Sequence, residues 1–456
     1  MTNLFEAAHR ILRKTAVSGA GNVPVERELS RSPDGEEKAS VLLARLGYHT
    51  PAEPVERANR LALLALASKF ERVLELPLPH GPGAAFFGAM VSPAALGIDG
   101  HDPEPVGVAG RGIDFRQAFE SCVGEAAEFL SFIERTDDPR LTEPKTRGTG
   151  ADVPDLEDLL WALNGAGLAP DADLDGIGWI SASSLLDGRR IHFPVDIVLR
   201  RPPARRKGSR KAESTGLSAG RTLEDAIYSG LMEVVERDAV SLWWYGGLPA
   251  RVIGETTRKG VGFDAFAETV RGGSDRRVRL LEITTDIQIP AVVSFSREPD
   301  GSAVIAGFAA DCDIATAMQR AFLEMCQMEL AQRISLEKLA RHGERGLKDK
   351  DRDWIRRYRE LSVDEFPTRF APALEAVPRS AFSGDKPSFA IERLAQSGFT
   401  PVYVDLTVAD VGIPVVKAMV PQLQSSSPDW LTKRLSDTAL ENKSPLDQQI
   451  SRVSPI

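Results

Sequence analysis

Apolar and polar positions along this chain follow two rhythms, one helical and one alternating, and both recur. The helical rhythm is clearest in three segments that share one phrase: an Ala, a Glu seven residues on, and a Glu or Gln three further. They are Ala118…Glu125…Glu128, Ala226…Glu233…Glu236 and Ala317…Glu324…Gln327. At about 3.6 residues per turn, such offsets stay on one helix flank, so each helix is predicted to pack a small Ala inward and aim two acceptors at one spot. Five of the six acceptors are Glu, and like charges brought together repel unless a cation sits among them. A metal site is the expectation. Surface i,i+3 charges on amphipathic helices would account for any single pair, but not for three copies at one spacing.

The alternating rhythm also repeats. Leu281-Glu-Ile-Thr-Thr-Asp-Ile-Gln-Ile-Pro-Ala-Val-Val293 and Val404-Asp-Leu-Thr-Val-Ala-Asp-Val-Gly-Ile-Pro-Val-Val416 share the order acid, Thr, Asp, aliphatic, Ile-Pro, Val-Val. Each predicts a strand, a polar turn and a second strand, because Pro suits a strand's first position and β-branched residues its interior. A hairpin is predicted around Asp187-Gly188, between alternating runs from Trp179 and Arg190. Repeated helices beside repeated strand pairs imply an α/β (α+β) fold with internal pseudo-symmetry. It is not a Rossmann fold: no GxGxxG follows a strand, and no GxxxxGK[ST] occurs.

Three stretches organise the chain: 1–80 as an N-terminal helical or winged module, 81–423 as the main domain and 424–456 as a tail. Ala39–Gly47 has the apolar face and terminal Gly of a helix stop. Residues 134–155 predict an exposed loop. The basic run Arg200-Arg-Pro-Pro-Ala-Arg-Arg-Lys-Gly-Ser-Arg-Lys211 predicts a solvated mobile loop, since Pro and Gly break any amphipathic face; no function is assigned to it.

Composition narrows the function classes. The chain has 456 residues, 42% hydrophobic and 27% charged, as expected of a globular protein. No apolar run approaches the ~20 residues that span a bilayer, and the N-terminus lacks the basic-then-apolar shape of a signal peptide. Three cysteines, Cys122, Cys312 and Cys326, without CxxC spacing argue against a disulfide framework or a zinc site. A cytoplasmic location is expected, with no membrane partner. The net charge of −9 argues against a general nucleic-acid footprint.

The second repeat carries the most chemistry. Ser214-Thr-Gly-Leu-Ser-Ala-Gly-Arg-Thr222 puts small residues ahead of a helix, where exposed backbone N–H groups favour an anion. Thr222 and Asp225 have the spacing of a capping box. Glu233, Glu236 and Arg237 follow. A phosphate seat with paired carboxylates suggests Mg2+ held between protein and polyphosphate.

In order along the chain, three segments resemble the YcaO domain: Ala109-Gly-Arg-Gly-Ile-Asp…Ala118-Phe-Glu-Ser-Cys-Val-Gly-Glu-Ala-Ala-Glu128, Ser214-Thr-Gly-Leu-Ser-Ala-Gly-Arg-Thr…Gly230-Leu-Met-Glu-Val-Val-Glu-Arg-Asp-Ala239 and Arg320-Ala-Phe-Leu-Glu-Met-Cys-Gln327. The closing Asp405-Leu-Thr…Gly412-Ile-Pro-Val-Val…Val420-Pro-Gln-Leu423 is similar to that family's C-terminal core, so the resemblance runs from about Ala109 to Leu423. It implies a YcaO-like fold, and ATP bound without a Walker loop. It also implies Mg2+-dependent attack on peptide backbone amides, whose oxygen is phosphorylated and then lost. Carried over by motif, Glu125, Glu128, Glu233 and Glu236 would hold Mg2+ and the phosphates, and Arg237 and Arg320 would contact phosphate. Ser121, Ser218, Arg221 and Asp225 would line the nucleotide pocket. The chain departs from the family pattern at Phe129, where Arg is usual, at Thr215 and Arg221, where Asn is frequent, and at Asp225, where Glu is usual.

Two activities dominate the family: cyclodehydration of Cys, Ser or Thr to azolines, as in thiazole, oxazole or bacteriocin biosynthesis, and backbone thioamidation with a TfuA-like partner. The resemblance implies a ribosomally made precursor peptide as substrate. No activating-enzyme-like module is visible, so a separate protein is expected to deliver the leader, and a homodimer is among the open assemblies. Heterocyclisation is the preferred expectation. A non-catalytic YcaO-like scaffold is the rival, disfavoured by the intact Glu set. An unrelated phosphotransferase or ligase would need a base or nucleophile, and none of the six His lies in a repeat motif.

Overall fold

The computed structural model describes residues 8, 11, 35–76, 83–94, 97–98, 105–142, 154–172, 177–361, 370–374, 382, 384–425 and 430–450. The last six residues, where the sequence places a Pro near the terminus, lie outside the described residues. In chain order the elements are α1 (Gly35–Arg45), α2 (Pro54–Ala67), β1 (Arg72–Leu76), β2 (Ala85–Val91), β3 (Val106–Gly112), α3 (Phe115–Phe132), β4 (Leu141–Thr142), α4 (Leu156–Ala166), β5 (Trp179–Ser184), β6 (Arg190–Pro194), α5 (Val195–Val198), β7 (Leu217–Ala219) and α6 (Leu223–Trp244). They continue as β8 (Ala250–Ile253), α7 (Glu255–Gly260), α8 (Phe263–Arg271), β9 (Arg277–Glu282), β10 (Ala291–Arg297), β11 (Ile305–Ala310), α9 (Ile314–His342), α10 (Asp349–Glu360), β12 (Phe370–Leu374), α11 (Lys386–Gln396), β13 (Val402–Asp405), β14 (Val415–Met419), α12 (Lys433–Glu441) and α13 (Leu446–Ile450). Two compact units result. The first comprises Met1–Leu78, Gly83–Gly230 and Val402–Ala418, and the second Pro79–Pro82, Leu231–Pro401 and Met419–Ile456.

In the first unit α1 ends as its sequence predicts. Gly47 adopts φ +67, the left-handed conformation that glycine tolerates, and the Tyr48 N–H reaches back to Leu43 O at 2.8 Å. Strands β1, β2 and β3 form an antiparallel sheet, and α3 folds back on β3 at very close range. A Cβ built at Gly110 would stand 2.1 Å from Cys122 N, so only glycine fits. A second sheet has the order β4-β5-β13-β14-β7, with β6 also paired to β5. The expected hairpin is present: Trp179 faces Pro194, Ser183 faces Arg190, and Gly188 turns at φ +73.

The basic run differs from its expectation of a solvated, mobile loop. Arg201 is paired with Glu134 at 3.1 Å and Asp196 at 2.8 Å, all three nearly buried. The Asp196 carboxylate also accepts from the Lys207 and Gly208 N–H groups, both at 2.8 Å. Buried charges persist only when paired and hydrogen-bonded, and here two carboxylates supplied from outside the run pin it down. Composition alone carried no sign of them.

The second unit is built on the sheet β11-β10-β9-β8-β12, antiparallel except for the parallel pair β8–β12. Every residue of β11, and all of β10 but Arg297, is buried; α9 covers β11. Gly307 repeats the close approach of Gly110, since a Cβ there would stand 2.2 Å from Met325 N.

The strand-turn-strand echo is real at the level of single hydrogen bonds. The Ile283 N–H donates to Ala291 O and the Leu406 N–H to Val415 O, each at 2.8 Å. The Thr284 and Thr407 hydroxyls accept from the Ala291 and Val415 N–H groups, each at 3.1 Å. Beside each pair, Pro290 O accepts from Asp311 N–H and Pro414 O from Gly220 N–H. The sequence repeat therefore encodes a repeated turn chemistry.

Candidate functional site

All three repeat helices start alike. Each follows a strand, and a cap residue four positions before the repeat Ala satisfies an orphan N–H of the first turn. Asp114 accepts from Gln117 N–H at 2.8 Å, Thr222 from Asp225 N–H at 3.1 Å and Asp313 from Thr316 N–H at 3.0 Å. Ala118, Ala226 and Ala317 are each 0% exposed, which is the inward packing predicted from their spacing. Two residues before each cap stand Gly112, Gly220 and Asp311.

In the first unit, α3 carries Ser121, Glu125 and Glu128, of which Glu125 is exposed and the other two half-buried. One Glu128 oxygen accepts from the Ala219 N–H at 2.7 Å. That bond ties the first repeat to the turn ahead of α6. Ser218, beside Ala219, is buried, and its hydroxyl lies 3.4 Å from Ala219 O. Arg221 and Asp225 face each other across one helical turn at 3.5 Å, both largely exposed.

In the second unit, Glu233, Glu236 and Arg237 of α6 are brought together with Glu324 and Arg320 of α9. Arg237 lies 3.7 Å from Glu233 and 3.4 Å from Glu236. Burial pushes the Glu236 carboxyl up to about 7; Arg237 opposes the rise, Glu324 and Glu233 add to it, and Arg320 opposes it. Burial alone would lower the Arg237 guanidinium, but Glu236, Glu233 and Glu324 together hold it above the ordinary arginine range. Arg320 is in turn placed by Asp311 at 3.5 Å, and Asp311 also receives Lys386 at 2.8 Å.

The repeat spacing placed Glu324 among the converging acceptors, but the family motif assigned it no role, and Asp311 was in neither reading. The signal for Glu324 was the third copy of the phrase itself. For Asp311 it was an acid at the place where the other copies have glycine.

Hard oxygen ligands suit Mg2+, which commonly keeps water and takes one or two carboxylates together with phosphate. The second unit offers that donor set. Glu236 Oε1 is buried and accepts no hydrogen bond among the described residues, with the Arg237 guanidinium 3.4 Å away, and an oxygen so placed is one a cation would complete. Among the described residues no three His, Cys, Asp or Glu side chains stand close enough to enclose an ion by themselves, and no helix is long and apolar enough to cross a membrane. The three cysteines are buried and form no disulfide.

Residues 109–424 match the family model described as YcaO cyclodehydratase, ATP- and Mg2+-binding. A Methanothermobacter thermautotrophicus protein described only as uncharacterized is 28% identical over 338 residues, 70% of this chain and 82% of that protein. An uncharacterized protein in the tfuA 3' region of Rhizobium leguminosarum bv. trifolii is 30% identical over 190 residues, 41% of this chain and 44% of that protein. Among solved structures, a heterocyclase in complex with substrate and cofactor matches with a TM-score of 0.67 at 24% identity, over 88% of this chain. The match covers 57% of that heterocyclase, so this chain spans little more than half its length, and the likeness is one of fold.

Proposed function

The chain belongs to the YcaO family, which binds ATP and Mg2+, and on that premise we propose that it spends ATP to cyclodehydrate a ribosomally made precursor peptide, converting Cys, Ser or Thr to azolines. The observation that carries this reading is the family match across 109–424, which contains all three copies of the Ala-to-Glu phrase. In the proposed reaction a Cys, Ser or Thr side chain attacks the preceding carbonyl carbon, and the oxygen of the adduct takes the terminal phosphoryl group of ATP as ADP leaves. The attack closes the five-membered ring and releases the side chain's proton; phosphate and the amide proton then depart, and a C=N bond forms within that ring. The peptide thus loses one water for each ATP converted to ADP and phosphate.

Glu125, Glu128, Glu233 and Glu236 are assigned to Mg2+ and phosphate, and Arg237 and Arg320 to phosphate. Ser121, Ser218, Arg221 and Asp225 are assigned to the nucleotide. Mg2+, when bound, supplies charge neutralisation on the transferring phosphoryl group. Arg237 supports its role by holding a fixed positive charge among three carboxylates. Glu128 supports the pre-α6 turn through Ala219. The precursor peptide and a separate leader-binding protein are the proposed partners.

A second reading, thioamidation with a TfuA-like partner, is favoured by the Rhizobium relative, which lies in the tfuA 3' region. Mass spectrometry after incubation with precursor peptide, partner protein and Mg·ATP separates the readings. Loss of one water mass per site is expected; exchange of oxygen for sulfur would instead select thioamidation. An unchanged peptide with no phosphate released would select the scaffold. Replacing Glu233 and Glu236 by Gln is expected to abolish Mg2+-dependent ATP binding, and retained binding would remove both residues from the metal assignment.

A further inference from the structure

The second unit contains a cavity of about 520 Å3 framed by β8, β9, α7, α8 and Phe322 of α9, a size typical of small-molecule sites. None of its residues is assigned above to nucleotide or Mg2+. Its inner wall is apolar: Phe263, Leu280 and Phe322 are all buried, with Phe263 and Phe322 edge to face at 5.4 Å. Val278, 38% exposed, marks the open side.

The charged lining is unequal, with four arginines against Asp264 and Glu268. Two of the arginines are already engaged by the protein. Arg258 pairs with Asp264 at 2.8 Å. Arg276 spends every nitrogen on Ser296, Glu298, Ala303 and Glu329. Arg271 is different. It is 6% exposed, and its Nη2 donates to Ser274 Oγ and pairs with Glu329, each at 2.9 Å. Its Nε and Nη1 are buried with no acceptor among the described residues. Buried donors are normally satisfied, and an unsatisfied one calls for a cause.

From this we infer that the cavity binds a small organic acid, a carboxylate on an aromatic or branched apolar body. The apolar wall takes the body and Arg271 donates to the carboxylate. Glu329 already offsets part of the Arg271 charge, so the ligand is a monoanion rather than a polyphosphate. The buried acceptor that Arg271 lacks is the one a carboxylate supplies.

Calorimetric titration of the full chain with 1-naphthoate tests this, with naphthalene-1-methanol as the neutral analogue and inorganic phosphate as the anion without a body. One naphthoate site per chain is expected, with at least tenfold weaker binding of the alcohol and of phosphate. Arg271→Met is expected to weaken naphthoate at least tenfold, and Ala267→Trp, which places an indole in the cavity from α8, to abolish it. Circular dichroism checks that each variant is folded. Absence of naphthoate binding overturns the inference, as does phosphate binding as tightly as naphthoate. If Arg271→Met does not fold, Ala267→Trp alone decides: undiminished naphthoate binding in that variant overturns it.

Discussion

Glu236 carries the cost of burying a carboxylate among other carboxylates. Burial, with Glu324 and Glu233 nearby, raises its carboxyl to about 7 although Arg237 pulls the other way. Because the folded-state value lies above the ordinary carboxylate value, the folded protein binds the proton more tightly than the unfolded chain. Stability in the absence of ligand therefore falls as pH rises from about 4.5 to about 7 and stays low above that, by about 1.4 kcal/mol for each unit of upward shift. Glu236→Gln keeps the shape and removes the titration. Thermal unfolding without nucleotide should show Glu236→Gln more stable than the wild type at pH 8 and equal to it near pH 4. An equal stability difference at both pH values would show that the penalty is not electrostatic. A residue that destabilises its own fold this way is what a ligand-holding group looks like before its ligand arrives.

At the scale of elements, the decisive contact is strand glycine on helix backbone. Of the three glycines in β3, Gly107 and Gly110 make the contrast: at Gly107 a Cβ would find only Met90 Sδ at 3.8 Å, whereas at Gly110 it would meet Cys122 N at 2.1 Å and Ala118 O at 2.4 Å. Backbone atoms cannot turn aside as a flexible side chain can. Gly110→Ala is therefore expected to lower stability by ~1–3 kcal/mol or more, the cost of forced overpacking, while Gly107→Ala stays near neutral. Denaturant midpoints of the two variants check the contrast, and equal midpoints would dismiss it. Gly307→Ala should behave like Gly110→Ala, and because its clash is with Met325 N and Ala321 O it should displace the turn of α9 between Arg320 and Glu324. The sequence pattern made the helices legible through their Ala and Glu spacing. It did not reveal which glycines fasten them, because a glycine in a strand reads the same whether a helix or a thioether lies above it.

For the whole chain, the repeats were legible and the nesting was not. Spacing showed the strand pair near Val404 and Val416 as a copy of the pair near Leu281 and Val293, but the sheet each copy would join is set by partners distant in sequence. The copy ending at β14 returns to the first unit and pairs with β7, Val415 facing Ala219 and Lys417 facing Leu217. There Pro414 O holds the Gly220 N–H at 3.0 Å and Gly216 O holds the Ala418 N–H at 2.8 Å. The turn that presents Ser218 and Arg221 ahead of α6 is thus clamped by a strand almost two hundred residues later. In the same way the basic run was legible as charge, whereas its anchors Glu134 and Asp196 were not. Two truncations separate the clamp from the rest of the C-terminal region. A chain ending at Met419 keeps β13 and β14, and its amides from Leu217 to Gly220 should stay protected from hydrogen exchange. A chain ending at Pro401 lacks both strands, and the same amides should exchange at rates approaching those of an open loop, with weaker ATP binding as the pre-α6 turn loosens. Equal protection in the two chains would mean that Glu128, through the Ala219 N–H, holds the turn without the returning strands.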